Sequence, residues 1–158
     1  MYNKDLERIN YLIDDGTFFF ELGKFENAIK CYHEAIEINS NYIKAHNNLG
    51  NSLHELGKFQ KAIKCFKQAI HINPNFETAH NNLGNVFQEL ELYQDSIICY
   101  QKAVSIKINY AEAHYNQGNV LQKISKHQKA ILCFQKAIEI NSNYIKACLL
   151  YTSDAADE

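Results

Sequence analysis

Ala45-His46-Asn47-Asn48-Leu49-Gly50-Asn51 is the stretch that decides the fold, because it returns at a fixed interval. The same seven residue types recur at 79–85, and a looser version recurs at 113–119. Each step, from Ala45 to Ala79 and from Ala79 to Ala113, is 34 residues. A degraded first copy at 11–17 keeps the glycine, Gly16. A constant period of this length indicates a repeat protein whose copies stack on one another.

A second register follows each copy and predicts a second helix in every unit. Its positions lie four and then three residues apart, the spacing that places side chains on one face of a helix. The register contains Ala28, Tyr32 and Ala35, then Ala62, Phe66 and Ala69, then Ser96, Tyr100 and Ala103, then Ala130, Phe134 and Ala137. In the second unit we expect helices at 43–56 and 59–72. Gly57 allows the turn between them, and Asn73-Pro74-Asn75 ends the second helix.

Small residues within a unit predict how its two helices pack. Gly50 and Ala62 remove side-chain bulk, so we expect the two backbones to approach each other closely, with Leu49, Leu53 and Phe66 filling the surrounding space. A hairpin of this kind cannot bury its apolar face alone, and its neighbours in the stack complete the core.

The residues His46-x-x-Leu49-Gly50-x-x-Leu53, followed by Ala62, Phe66, Ala69 and Pro74, resemble the tetratricopeptide repeat family. The resemblance implies an all-α fold, a right-handed α-solenoid of stacked antiparallel helix hairpins. It places an N-terminal lead-in at 1–8, four repeats at 9–42, 43–76, 77–110 and 111–144, the start of a fifth at 145–150, and a non-repeat tail at 151–158. Asp15 and Gln117 replace the leucine before the glycine, so the outer repeats are expected to be less stable. Pro74 is the only proline, which predicts looser turns elsewhere.

Composition and charge exclude several functional classes. A net charge of −2 is not that of a nucleic-acid binder, which is normally basic. No apolar run approaches the roughly 18–20 residues that span a bilayer, and the polar amino terminus is not a secretory signal. We therefore expect a cytoplasmic protein that binds neither nucleic acid nor membrane.

Cysteine recurs at one position in all four repeats and histidine at another in three of them, yet neither series predicts a metal site, a cofactor or catalysis. Equivalent residues of stacked hairpins lie at least about 8–10 Å apart, which is too far for a disulfide or for one tetrahedral zinc. We expect Cys31, Cys65, Cys99 and Cys133 to be half-buried helix residues. His46, His80 and His114 are expected to pack between helices, each with a local hydrogen bond from the ring. No phosphate loop, nucleophile elbow or His-Glu-x-x-His motif occurs.

The family resemblance implies that the first helix of each hairpin lines a concave groove where a protein or peptide partner binds. The predicted groove residues are Lys44, Asn47, Asn48, Asn51, Asn81, Asn82, Asn85, Tyr115, Asn116 and Asn119. Further residues that the resemblance assigns to this surface are Asn10, Ile13, Asp14, Thr17, His54, Glu55, Gln88, Glu89, Glu112, Gln122 and Lys123. Side-chain amides offer both a donor and an acceptor, so such a groove can hold an extended segment by its main chain.

Two functional hypotheses follow. Asn48, Asn82 and Asn116 resemble the asparagine ladder in the superhelical repeats of O-linked N-acetylglucosamine transferase-type proteins, while the basic residues of a carboxylate clamp are missing. The chain is therefore either a self-standing scaffold or a substrate-recruiting region of a larger enzyme. The repeat pattern breaks at Cys148, and the tail resembles translated adapter sequence, which predicts an interrupted reading frame. Since no polar capping helix follows, self-association through this end is a further prediction.

Overall fold

The computed structural model describes residues 2–145, with side chains described from Lys4 onward. Within this range the chain forms eight α-helices, one short 3-10 turn at Ser142–Tyr144 and no strand. The helices are α1 (Tyr2–Glu21), α2 (Phe25–Ile38), α3 (Ile43–Glu55), α4 (Phe59–Ile72), α5 (Glu77–Glu89), α6 (Tyr93–Ile106), α7 (Ala111–Lys123) and α8 (His127–Ile140). The predicted all-α fold is confirmed for this part of the chain.

The boundaries of α3 and α4 agree with the sequence prediction to within one residue. The amino terminus differs, because residues 2–8 of the expected lead-in belong to α1, which has 20 residues where α3 has 13. The predicted start of a fifth repeat after Ile145, and the non-repeat tail with the reading-frame hypothesis attached to it, lie outside the described residues.

Internal contacts divide the chain into two compact units, one up to Val86 and one from Phe87 onward. In the first unit α1 packs on α2, α2 on α3, and α3 on α4. In the second unit α6 packs on α7 and α7 on α8. Each unit is described by itself below.

The turn inside each hairpin uses a residue in the left-handed backbone conformation. Gly57 has a φ of +67°, as the sequence predicts, and the turn is closed by Gly57 N donating to His54 O and Lys58 N donating to Leu53 O, both at 2.8 Å. Gly23 plays the same part in the first hairpin, with a φ of +70°. The third and fourth hairpins achieve this conformation without glycine, at Glu91 (φ 58°) and Ser125 (φ 57°).

The turns that follow α2, α4 and α8 contain the same hydrogen bond, although only the second of them contains proline. Asn39, Asn73 and Asn141 each accept a hydrogen bond at Oδ1 from the main-chain N–H two residues later, at 3.0 Å. Such an asparagine turn satisfies the main chain locally. Pro74 thus adds stiffness to a hydrogen-bonded turn that also forms at Asn39 and Asn141 without proline.

Glycine on the first helix of a hairpin makes room for an aromatic ring on the second. A Cβ built on Gly50 would lie 2.6 Å from Phe66 Cε1, and one on Gly118 would lie 2.5 Å from Phe134 Cε1. Gly16 has the same relation to Tyr32. This corrects the expectation that Gly50 serves a close approach of two backbones: the space is filled by the ring, which is fully buried at Phe66.

The alanine positions of the second register form the rest of the contact between helices. Each is at most 2% exposed, and the positions are Ala28, Ala35, Ala62, Ala69, Ala103, Ala130 and Ala137. Larger apolar side chains close the core around them, with Ile9 and Leu12 in the first unit and Ile97, Val120 and Leu121 in the second. In the described part of the chain, no helix has the length and apolar character needed to cross a membrane.

Candidate functional site

The side chains predicted to line a groove differ in how much of them reaches the surface. Asn47 is 5% exposed and Asn81 is fully buried, so these two support the surface from beneath. The prediction had placed them in contact with a ligand. The remaining predicted residues are half-buried or exposed, and they are Lys44, Asn48, Asn51, Asn82, Asn85, Tyr115, Asn116 and Asn119.

In the first unit, Asn82 is held by two other asparagines. Its Nδ2 donates to Asn47 Oδ1 at 3.1 Å and to Asn51 Oδ1 at 2.9 Å, so the amide of α5 is fixed by two amides of α3. Asn47 in turn donates from Nδ2 to Asn48 Oδ1 at 3.4 Å. Among the described residues none donates to Asn82 Oδ1. The network therefore orients Asn82 so that its oxygen is left for an external donor.

Asn48 is oriented by a tyrosine that the sequence prediction did not include. Thr17 and Asn48 hydrogen-bond the hydroxyl of Tyr32, whose ring is buried. Burial raises the pKa of Tyr32, and these hydrogen bonds partly offset the rise. Thr17, Phe20, Tyr32, Asn48 and Asn51 line a cavity of about 150 Å³ beside this cluster. A cavity of this size has room for a group of a few atoms, such as a peptide group.

The second unit contains a different cavity, of about 320 Å³, lined by Gln88, Asn119, Gln122 and Lys123. The Tyr100 hydroxyl donates to Gln88 Oε1 at 3.1 Å. The pKa of Tyr100 is raised well above its usual value, mainly by burial, so the hydroxyl stays protonated and remains a donor. The Lys123 ammonium lies 5.9 Å from the centroid of the Tyr93 ring, within the range of a cation–π contact.

Asn119 carries the one buried side-chain oxygen or nitrogen in the described residues that has no hydrogen-bond partner, its Oδ1. The same side chain lines the cavity of the second unit. Burying an oxygen without a donor costs free energy, and native proteins do this rarely. An unsatisfied amide beside a cavity is typical of a binding surface.

The histidines have the local role that the sequence predicts. Nε2 of each ring donates to a carbonyl six residues earlier: His46 to Ser40 at 2.8 Å, His80 to Pro74 at 2.9 Å and His114 to Ile108 at 3.1 Å. Since a carbonyl only accepts, Nε2 carries the proton in all three. The three rings fasten the turn between hairpins to the next helix.

The four described cysteines are free thiols, half-buried at Cys31, Cys65 and Cys133 and buried at Cys99. Burial raises the pKa of the Cys65 thiol to about 11 and raises the pKa of Cys31 and Cys133 as well. Such thiols are protonated near neutral pH and are poor nucleophiles and metal ligands. Within residues 2–145 no group of three His, Cys, Asp or Glu side chains is placed to hold a metal ion.

The tyrosine hydroxyls were missed because the register of Tyr32, Phe66, Tyr100 and Phe134 indicates an aromatic core position and nothing more. The signal was present in the alternation of tyrosine with phenylalanine. A hydroxyl at the end of a buried ring needs a partner, so tyrosine at two of four equivalent core positions indicates polar neighbours there.

Comparison with family models gives matches along most of the chain. A model described as TPR repeat matches residues 16–57, one described as Tetratricopeptide repeat matches 43–76 and 111–144, and a further Tetratricopeptide repeat model matches 77–109. The comparison with curated proteins gives no match.

Solved structures with a similar fold include three different proteins. The Pseudomonas aeruginosa protein pilF has a TM-score of 0.86 at 21% identity, over 96% of this chain and 72% of that one. MamA has a TM-score of 0.76 at 26% identity, over 89% and 77% of the two chains. The first TPR of Spaghetti (RPAP3), bound to the HSP90 peptide SRMEEVD, has a TM-score of 0.71 at 20% identity, over 75% and 94%.

Proposed function

Because this chain belongs to the tetratricopeptide repeat family, we propose that it is a protein-interaction scaffold that holds an extended segment of a partner by its main chain. The observation that carries the proposal is the fixed amide of Asn82, whose Nδ2 is bound by Asn47 and Asn51 and whose Oδ1 has no donor in the described part of the chain. A peptide N–H is the donor that an oriented amide oxygen binds without regard to the partner's side chains.

The cavity beside Asn48 supports the same function. Its volume of about 150 Å³ suits a peptide group, and its polar lining comes from Thr17, Asn48 and Asn51. A surface that binds the main chain of a partner needs amides that are already held in the binding orientation. An asparagine that is free to rotate loses side-chain entropy when it binds. The hydrogen bonds to Asn48 and Asn82 reduce this cost.

The relative bound to an HSP90 peptide supports a peptide ligand for this fold. For this chain we propose that main-chain binding uses two sets of residues. In the first unit these are Lys44, Asn48, Asn51, Asn82 and Asn85, and in the second unit Tyr115, Asn116 and Asn119. A groove built from these amides accepts many sequences, so we expect the partner to be selected by an extended conformation more than by composition.

The alternative, that the repeats recruit substrates for a larger enzyme of the O-linked N-acetylglucosamine transferase type, stays a hypothesis about the gene. Reading the sequence of the locus beyond the codon for Ala147 tests it: a catalytic region in the same frame supports recruitment, and a genuine stop codon after Glu158 contradicts it.

The test of the proposed function is selection of peptides from a library of random 12-residue segments, followed by fluorescence anisotropy with the selected peptides. Replacing Asn48, Asn82 and Asn116 together by alanine is expected to weaken binding at least tenfold while the helical circular dichroism is unchanged. The matched control replaces three exposed amides of the second helices, Gln68, Gln101 and Gln135, by alanine. Equal binding by wild type and the asparagine variant contradicts the proposal.

A further inference from the structure

A cavity of about 400 Å³ lies in the first unit, at the amino end of α1. It shares no lining residue with the smaller cavity beside Asn48. Its lining residues belong to α1, to the end of α2 and to the turn after α2, and they are Asp5, Leu6, Ile9, Ile38, Asn39 and Tyr42. Sites for small organic molecules usually have volumes of about 300–1,000 Å³, so this cavity is large enough to hold a ligand.

One wall of this cavity is formed by a part of α1 that has no helical counterpart in the later repeats. Residues 2–8 continue α1 beyond the start of the first repeat. One repeat of 34 residues later, Asp5 and Leu6 correspond to Asn39 and Ser40, which belong to the turn between α2 and α3. A turn also precedes α5 and α7. Among the described repeats, a helical wall at this place is therefore specific to the first.

The interior of the cavity is mainly apolar. Ile9 is 3% exposed and belongs to the core of the first hairpin, and Ile38 and Tyr42 pack against that core. Leu6 lines the same cavity but is 46% exposed, so much of this side chain is in contact with water. A ligand with an apolar body removes this surface from water, which is favourable by roughly 25 cal/mol for each Å² that is buried.

The polar side of the cavity carries a negative charge and accepts hydrogen bonds. Asp5 is the one charged residue of the lining, and it forms no ion pair with any residue that the structure describes. Both oxygens of a carboxylate accept, so this chemistry does not depend on how the side chain is turned. The Tyr42 hydroxyl donates to Asn10 Oδ1 at 3.0 Å, which leaves the hydroxyl oxygen as an acceptor. α2 ends at Ile38, and the carbonyls at the carboxyl end of a helix favour a cation.

From this combination we propose that the cavity binds a small organic ammonium compound, with its apolar body against Leu6 and Ile9 and its nitrogen beside the Asp5 carboxylate. An ammonium group only donates hydrogen bonds, so it matches a lining whose charged group only accepts. A neutral ligand of the same shape fills the apolar part without an ion pair, and an anion is repelled. This site does not use the asparagines of the proposed function and is independent of it.

The experiment compares three probes that share one carbon skeleton and differ in charge: cyclohexylmethylammonium, cyclohexylmethanol and cyclohexanecarboxylate. The intact chain is labelled with ¹³C at its isoleucine methyl groups and titrated with each probe by NMR. Shifts at Ile9 and Ile38 report binding in the cavity, and Ile97 in the core of the second unit is the reference that should not shift. We expect the ammonium to bind about threefold more tightly than the alcohol, as is typical of an exposed ion pair, and the carboxylate to bind most weakly.

Variants of the first turns of α1 separate the charge from the apolar contact. Asp5→Asn removes the charge at nearly constant shape, so ammonium and alcohol should bind equally while the affinity for the alcohol is kept. The matched control, Glu7→Gln, neutralises an exposed carboxylate that does not line the cavity and should keep the preference for ammonium. Leu6→Ala should weaken both probes alike. Circular dichroism of each variant verifies that the helix content is that of wild type.

The outcomes that overturn this inference are distinct from those that overturn the proposed function. Ammonium that binds no more tightly than alcohol, or an unchanged preference in Asp5→Asn, refutes the cation site. If none of the probes shifts the methyl groups of Ile9 and Ile38 at millimolar concentration, the cavity is not a ligand site. Peptide selection tests the proposed function separately, and Asp5→Asn should select the same peptides as wild type.

Discussion

The ring of Phe66 occupies the volume in which a side chain on Gly50 would stand, with only 2.6 Å between the ring's Cε1 and the position of a Cβ. Glycine is thus required at position 50 because the Phe66 side chain lies directly against the backbone of α3. Its main-chain dihedral angles are helical, so conformational freedom is not the reason for it.

Gly50→Ala is therefore expected to destabilise the fold by about 1–3 kcal/mol, the usual range for overpacking, although alanine is the better helix former. Urea denaturation followed by circular dichroism measures this. Phe66→Leu in the same chain should recover part of the loss by freeing the space. If Gly50→Ala is as stable as wild type, the Phe66 ring can move aside at a lower free-energy cost than this short distance implies.

Asn47 offers a test of how the groove amides are oriented. Its side chain is buried, so Asn47→Ala removes an acceptor from Asn82 without removing a contact to the ligand. Loss of one hydrogen bond of about 1 kcal/mol should weaken peptide binding roughly fivefold. If Asn47→Ala binds peptide as tightly as wild type, this hydrogen bond does not position Asn82.

Tyr100→Phe tests the equivalent support in the second unit. The change deletes the hydroxyl that donates to Gln88 Oε1 and frees the amide to turn. We expect a stability loss of about 1 kcal/mol, measured by urea denaturation. Phe134→Tyr, which adds a hydroxyl at the equivalent core position of the fourth repeat, is the control. Unchanged stability in Tyr100→Phe would mean that Gln88 is oriented by other contacts.

The left-handed residues of the third and fourth hairpins predict a simple stabilisation. Glu91 and Ser125 hold a conformation that costs a residue with a side chain about 1–2 kcal/mol. Glu91→Gly and Ser125→Gly should each raise the free energy of unfolding by about 1 kcal/mol. Gly57→Ala, which introduces a side chain into open space at the same conformation, should lower it by a similar amount. A fall in melting temperature for either glycine variant would contradict this account.

The raised pKa of a buried thiol predicts how the stability of the fold changes at alkaline pH. The pKa of Cys65 is about 11 in the folded chain and near its ordinary 9.0 when unfolded. Since the folded pKa is the higher one, the stabilisation is complete below pH 9 and is lost as the pH rises through about 11. The urea midpoint should therefore fall between pH 9 and 11, and fall less in Cys65→Ala. Parallel curves for the two proteins would refute a contribution from this thiol.

Sequence alone predicted the repeat, the helix boundaries of α3 and α4, and the local hydrogen bonds of the histidines, because each depends on residues close in the chain. It did not predict the bond from Asn82 to Asn51 or from Tyr100 to Gln88. Such bonds depend on the rotation of side chains across neighbouring helices, and the residue types Asn, Gln and Tyr permit several arrangements. It also could not tell that Asn47 and Asn81 lie beneath the surface. Neighbouring positions on a helix point in directions that differ by about 100°. The repeat pattern does not give the direction of a side chain precisely enough to separate a groove residue from one beneath it.

The hydrogen bond from each histidine to a carbonyl determines which positions of the turn can accept different residue types. Because His46, His80 and His114 bind the main chain of residues 40, 74 and 108, the side chains at those three positions are not needed for the fastening. Serine, proline and isoleucine occupy them here without altering the bond. A substitution at any of these three positions therefore leaves the carbonyl that the histidine binds in place. The composition of the turn can vary while its hydrogen bond to the next helix is kept.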